Sequence, residues 1–343
     1  MSLKAKPKNI LERIERNKNK MNIRFIGRHI LKDGKEYFSY SGTGFEFVVI
    51  PESDECFIEL KLKSVLHEHD EQYVAIYVDD VFYNKEKLIE GANTIKIKVT
   101  KKAVIKLIKL NEVYLSAIYL NDIVIHNGKL GEIEPSNKKL VGFFGDSITC
   151  GYGVIGLHDL AFKPETEDFT KSCAFLGCFA ANMDYSVVAR SGISISIPIY
   201  QEKLFGEIYD TVDMYEKGEE DRKLDVAVIN LGTNDNNGYL EIVKDVDKPQ
   251  ALETFKKKYI ELVERIVKDN PGVKLIFCYD MIKLIDDFVD AIKNVYQHIT
   301  SNFDNECKLL KFVPNTDGAN FHPYKDAQAE SAKVLAEALR EFD

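Results

Sequence analysis

Four short polar blocks interrupt the second half of this 343-residue chain, three following an apolar run and the fourth close to the end: Gly145-Asp146-Ser147-Ile148-Thr149, Ser191-Gly192, Gly232-Thr233-Asn234-Asp235 and Phe321-His322-Pro323. Taken singly, each has a plain structural explanation. Gly-Asp-Ser suits a strand-to-helix turn capped by Asp or Ser. Gly-Thr-Asn-Asp is made of turn formers, and Gly192 suits a positive φ. One histidine near a C-terminus is usually a surface residue. Together the blocks supply acyl-transfer chemistry. A serine hydroxyl attacks an ester carbonyl only when a base removes its proton, and a neutral imidazole does that near pH 7. The resulting oxyanion needs donors already aimed at it. Ser147 is the candidate nucleophile and His322 the candidate general base. The N–H groups of Ser147 and Gly192 and the side-chain amide of Asn234 are the candidate oxyanion donors. Asp146 and Asp235 read as braces that hydrogen-bond to backbone N–H groups.

These residues must be brought together by a scaffold. After about residue 136, apolar strands alternate with helical stretches. The strands are 140–144, 185–189, 226–230 and 274–278; the helices cover 171–182, 250–269, 285–300 and 325–341. Buried strands alternating with helices form a parallel sheet covered on both faces, a three-layer α/β/α domain over residues 136–343. Ligands of such sheets bind beyond the carboxyl ends of the strands, where three of the four blocks fall. From residue 22 to about 126 the period is instead two, as in Thr94-Ile95-Lys96-Ile97-Lys98-Val99, a strand that is expected to continue through 104–109. Its lysines read as a solvated face that also blocks edge pairing. Short strands separated by turns such as Ser41-Gly42-Thr43-Gly44 predict a β-sandwich of jelly-roll type over residues 1–135. A helix at about 8–18, with Ile10, Leu11 and Ile14 on one face, is expected ahead of it. The polar stretch 131–137, with Pro135, reads as the linker.

The blocks GDSITCGYG, ARSGISIS, INLGTNDNN and FHP resemble the four conserved blocks of SGNH (GDSL-type) hydrolases. The serine lies outside any G-x-S-x-G, so the elbow of the α/β-hydrolases is not implied. With IGRH and YFSYSGTGFEF in the sandwich half, the whole chain resembles carbohydrate esterase family two, which includes acetylxylan esterases. That resemblance implies a serine esterase removing O-acetyl groups from carbohydrate, with Ser147, Gly192, Asn234 and His322 as its site residues. There are two departures. SGNH hydrolases usually carry Asp three residues before the histidine, where this chain has Ala319. Asp317 and Asn320 lie nearby as possible orienting residues. Some members of the resembled family instead work as a Ser-His dyad with a backbone carbonyl on the histidine. The chain also lacks tryptophan, which relatives often place beside the sugar. Tyr152, Tyr200, Tyr209 and Tyr215 are candidate stacking substitutes, with ordinary packing as the alternative.

Composition bounds the rest. Residues 1–140 carry 24 Lys+Arg against 20 Asp+Glu, and the remainder 22 against 35. An acidic catalytic half argues against nucleic acid or other polyanions as partner. No uninterrupted apolar run reaches about 18 residues, so no membrane span is expected. The charged start lacks the apolar core of a secretory signal, and a cytoplasmic location is expected. Cys56, Cys150, Cys173, Cys178, Cys278 and Cys307 form no C-x-x-C pair and read as free thiols; no metal and no cofactor is expected. His67-Glu68-His69-Asp70 reads as a solvated turn, and His29, His126, His158 and His298 show no partner in the sequence. The expected partner is a small acetylated carbohydrate. Two other readings remain open: a GDSL-type lipid esterase or thioesterase, and a carbohydrate-binding protein with an inactive hydrolase domain, for which Ala319 speaks.

Overall fold

A computed structural model describes residues 22–67, 71–218 and 222–342. The expected helix over 8–18 and residues Glu68, His69 and Asp70 of the solvated turn lie outside the described residues. Two antiparallel sheets, of six and five strands, form the first half. One orders Ile23–Ile26, Gly44–Pro51, Ala103–Lys109, Gln72–Val78 and Val81–Leu88, with Gly128–Gly131 also paired to Gly44–Pro51. The other orders Ile30–Lys32, Lys35–Phe38, Ser116–His126, Phe57–Leu66 and Gly91–Lys98. Alternation along Gly91–Lys98 buries Ile95 and Ile97 while Lys96 and Lys98 face water. Phe45, Phe47, Ile58, Leu60, Ile105 and Leu107 fill the space between the sheets. The strand expected to run from 94 through 109 is two strands, one in each sheet. The polar Thr100-Lys101-Lys102 stretch lies where the chain crosses between them, so one continuous period hid a sheet change.

The second half is a parallel five-stranded sheet with helices on both faces. Its order is Asp184–Ala189, Leu140–Gly145, Val226–Asn230, Lys274–Tyr279 and Cys307–Lys311. Every residue of Leu140–Gly145 is buried. Its alternate residues serve different cores: Val141 and Phe143 join Val226, Val228 and Ile276 on one face, while Leu140 and Phe144 join Ala227, Ile229 and Phe277 on the other. The helices Cys173–Ala181 and Lys325–Arg340 cover the first face, and Lys248–Asp269 and Asp286–Asn302 the second. Lys248–Asp269 buries Phe255, Tyr259, Leu262, Val263 and Ile266, the stripe that a 3.6-residue period gives. The fifth strand was not legible. Cys307–Lys311 is a half-buried edge strand carrying Lys308 and Lys311, too polar to read as an apolar run.

Residues of the IGRH and YFSYSG segments fasten the two halves together. Arg28 donates to the carbonyls of Tyr209 and Thr211. Tyr37 donates to Asp213 Oδ2 at 2.9 Å. The fully buried Tyr40 hydroxyl lies 2.8 Å from both Thr211 Oγ1 and the Asp213 carbonyl. Tyr40→Phe keeps the ring packing and removes that hydroxyl. A lost buried hydrogen bond costs about 1–3 kcal/mol. The urea midpoint should fall accordingly with an unchanged slope; an unmoved midpoint would show that these bonds add nothing to cohesion.

Candidate active site

The strand order of this sheet makes its first strand a neighbour of both the second and the third. The chain leaves these three strands at their carboxyl ends with Ser147, Gly192 and Asn234 close behind, at the point where the strand order reverses. Asp146 caps the short helix Ser147–Cys150, its side chain accepting from the Ile148 N–H at 3.0 Å. Gly192 has φ +76°, and a Cβ there would lie 2.9 Å from Tyr200 Cβ, so glycine is required on both counts. Asp235 fastens the loop after Gly192 by accepting from the N–H groups of Ile195, Ser196 and Ile197 at 2.8, 2.7 and 2.9 Å. Asn234 is buried and donates to the Ile193 carbonyl at 2.9 Å, with a longer contact of 3.5 Å to Asp146 Oδ2. The braces read from Asp146 and Asp235 are thus present.

His322 arrives from beyond the edge strand. Its loop is pinned to the segment after the helix Ser147–Cys150: Ala319 N–H donates to the Gly153 carbonyl at 2.9 Å and Asn320 N–H to the Leu160 carbonyl at 3.0 Å. A Cβ on Gly153 would sit 2.4 Å from the Ala319 oxygen, so that approach also depends on glycine. Asn320 and Phe321 both take positive φ, 51° and 59°, a conformation that costs on the order of 1–3 kcal/mol each. The turn brings the Asn320 carbonyl to 2.8 Å from His322 Nδ1, and Nε2 to 2.9 Å from Ser147 Oγ. A carbonyl only accepts, so the proton sits on Nδ1 and Nε2 is free to accept from the serine.

The two candidate orienting residues fare differently. Asp317 is turned to Asn315, whose Nδ2 donates to its Oδ2 at 2.6 Å. Asn320 meets the imidazole through its backbone oxygen, while its side chain lies 3.4 Å from the Tyr152 hydroxyl. Once the left-handed turn has placed that carbonyl on Nδ1, no side chain has a site to fill there. Of the four tyrosines, Tyr152 stacks on Phe162 and lies 4.4 Å from the His322 ring, and Tyr200 stands beside Gly192. Tyr209 is core, packed on Phe144, and Tyr215 is exposed under Lys203. His29 and His126 stack on Phe25 and Phe57 within the sandwich. A separate cavity of about 1270 Å³, lined by Arg24, Phe25, Glu46, Lys106, Phe179 and Tyr185, contains none of the four block residues.

A model of the GDSL-like lipase/acylhydrolase family matches residues 143–342. The chain belongs to that family. No curated protein matches it. Several solved structures share its whole architecture. A family two carbohydrate esterase from Clostridium thermocellum in complex with cellohexaose superposes with a TM-score of 0.82 at 20% identity, over 93% of this chain and 98% of that one. An acetyl xylan esterase from the rumen bacterium Butyrivibrio proteoclasticus gives 0.77 at 20% identity, over 94% and 95%. A salicylyl-acyltransferase from a tetracycline biosynthetic pathway gives 0.62 at 14%, over 93% and 96%. The sandwich followed by the parallel α/β sheet is thus a recurring arrangement in which the GDSL-like fold carries an additional β half.

Desolvation pulls the His322 imidazole down to about 4, while the Asn320 carbonyl opposes that shift. Protonating Nε2 removes the acceptor for Ser147, so kcat/KM of an ester substrate should hold above that pKa and fall as pH drops through it. An acid limb at about 6.5, the ordinary imidazole value, would show that the half-buried ring is not desolvated to that extent. Asp317→Ala should keep most activity; a loss of about a hundredfold or more would make its carboxylate a third catalytic group.

Proposed function

We propose that this chain is a serine esterase that removes O-acetyl groups from carbohydrate by a Ser-His mechanism. The observation that carries the proposal is the relay from the Asn320 carbonyl through His322 to Ser147 Oγ, at 2.8 and 2.9 Å. Ser147 Oγ attacks the acetyl carbonyl carbon, and its proton passes to Nε2. The Ser147 and Gly192 N–H groups and the Asn234 amide receive the oxyanion. Collapse expels the sugar alkoxide, which takes the proton back from Nε2. Water, deprotonated by the same nitrogen, then attacks the acetyl-serine. Acetate leaves, and the proton returns to Ser147.

Carbohydrate is favoured as substrate class by the architecture shared with the esterases named above. Fold-level likeness alone supports that step. Tyr152 and Tyr200 flank the site as candidate sugar contacts. Residues 1–135 are taken as a sandwich domain that contributes to holding the sugar, and 136–343 as the catalytic domain. The cysteines among the described residues are all free and five are buried, which suits a reducing cytoplasm.

Ser147→Ala and His322→Ala should each lower turnover of p-nitrophenyl acetate by about a thousandfold or more, without adding in the double variant. Asn234→Ala should lower kcat rather than raise KM, at a cost of about 3 kcal/mol. Normal turnover by folded Ser147→Ala protein would refute the mechanism. Acetate release from acetylated xylo- and manno-oligosaccharides, run beside long-chain acyl esters, tests the substrate. Faster cleavage of the long acyl esters than of every acetylated sugar would make this a lipid esterase with the same site.

A further inference from the structure

A buried ionic cluster lies behind the site, between the sandwich and the parallel sheet. Lys109, Asn111 and Glu112, at and just after the end of the strand Ala103–Lys109, come from the sandwich side. Cys150 and Glu167 come from the hydrolase side, and all five are fully buried. Glu112 reaches across to the turn that carries Gly192. Its Oε2 accepts from the Ser191 N–H at 2.6 Å and its Oε1 from the Ser191 hydroxyl. The Cys150 thiol, on the last residue of the short helix that starts at Ser147, also donates to Oε2 at 3.8 Å.

Bonds from both halves fix the backbone from which this carboxylate projects. The Glu112 N–H and the Asn111 side chain donate to Glu167 Oε2 at 3.1 and 3.2 Å, and Asn111 also donates to the Pro164 carbonyl at 2.7 Å. Lys109 Nζ donates to the carbonyls of Asn111 and Glu112 at 2.5 and 3.2 Å. Glu112, Cys150 and Glu167 have ligand atoms within 4.8 Å of one another. In this cluster, however, the buried lysine supplies the positive charge. Burial pushes the carboxyls of Glu112 and Glu167 up and Lys109 down. Ser191, Arg190 and Lys109 counter the shift on Glu112. A carboxyl that accepts from both groups of Ser191 does so best as the anion.

We propose that Glu112 is a positioning residue: it clamps Ser191 so that the adjacent Gly192 N–H is held for the oxyanion, making the sandwich half a structural part of the hydrolase site. This rests on the oxyanion role proposed for Gly192. The clamp acts on the backbone of the residue immediately before the donor. Gly192 is in a left-handed turn at φ +76° and lacks a side chain of its own to fix it. Glu112 itself touches no substrate.

The test uses the full chain, p-nitrophenyl acetate, and an organophosphonate whose phosphoryl oxygen occupies the oxyanion position after reaction with Ser147. Glu112→Gln is nearly isosteric but cannot accept from both Ser191 groups with both of its atoms. A donor displaced by a fraction of an ångström should lower kcat by about tenfold or more at nearly unchanged KM, with phosphonylation slowed in parallel. Ser191→Ala, at a half-buried position, should lose a smaller factor. Adding it to Glu112→Gln should lose little more, because both act through one clamp. A purely structural role would lower the melting temperature and leave kcat per folded molecule intact. Folded Glu112→Gln with kcat within about twofold of the parent, or a loss in KM alone, overturns the proposal. Should Glu112→Gln not fold, Ser191→Ala decides, and full kcat there overturns it. Failure of the esterase reading itself would show separately, as undiminished turnover in Ser147→Ala.

Discussion

The hydrogen bond from His322 Nδ1 to the Asn320 carbonyl is the constraint on which the rest of the site depends. It fixes the tautomer, aims the ring, and leaves Nε2 as an acceptor 2.9 Å from Ser147 Oγ. The cost is local: two consecutive residues held at positive φ, which the contacts of Ala319 with Gly153 and of Asn320 with Leu160 over-determine. Gly153 allows that contact by leaving room for the Ala319 oxygen. Residues more than 150 positions apart in sequence are therefore joined through backbone atoms, and side-chain identity matters little at most of these positions.

The second organising feature is the seam between the halves. Apolar side chains of the sandwich, among them Val113, Ile108 and Leu110, join the cores on the two faces of the parallel sheet. Set into that seam are polar contacts made largely to backbone groups: Arg28 and Tyr40 on the 209–213 carbonyls, and Glu112 on Ser191. Such polar contacts cost desolvation, so they give less cohesion than the apolar ones, but they specify register. Every bond named here reaches a loop that follows a strand of the parallel sheet. The sandwich thus fixes the connection between the strands Asp184–Ala189 and Val226–Asn230, which carries Gly192.

Much of this was legible in the sequence, for physical reasons. The apolar runs 140–144 and 226–230 announce buried parallel strands because both faces of each are covered. The alternation of Ile and Lys over 94–98 announces a half-exposed strand. Ser147, Gly192 and Asn234 were singled out by residue type at strand ends, and His322 by its place beside Pro323 ahead of the last helix. The missed features depend on geometry that composition does not carry. The edge strand Cys307–Lys311 resembles a loop because Lys308 and Lys311 interrupt its apolar residues. The break near residue 100 separates two strands of the same period. Glu112 sits in a short polar connection whose pattern has nothing to distinguish it from a solvated turn, and it becomes notable only because Ser191 folds onto it. Asp317 attracted attention through its charge and its nearness to the histidine, whereas the atom that meets the ring belongs to the backbone.

A carbonyl in place of a carboxylate has an electrostatic consequence for the proposed reaction. An anionic partner at Nδ1 would stabilise the imidazolium that forms when Nε2 takes the serine proton; a neutral dipole stabilises it less. Desolvation of His322 works in the same direction, favouring the neutral ring. Both make the resting base neutral across the ordinary pH range, and both make it a weaker base in the transition state. The deficit has to be met where the opposite charge develops. Donors around the oxyanion carry more of the load in a dyad than in a triad, and their rigidity matters correspondingly more. Asp235 braces the far side of that loop through three backbone N–H groups, and Glu112 holds the near side through Ser191. In the proposed reaction, the carbonyl at Nδ1 and the Glu112 contact across the seam thus act together: stabilisation given up at the base is recovered at the oxyanion.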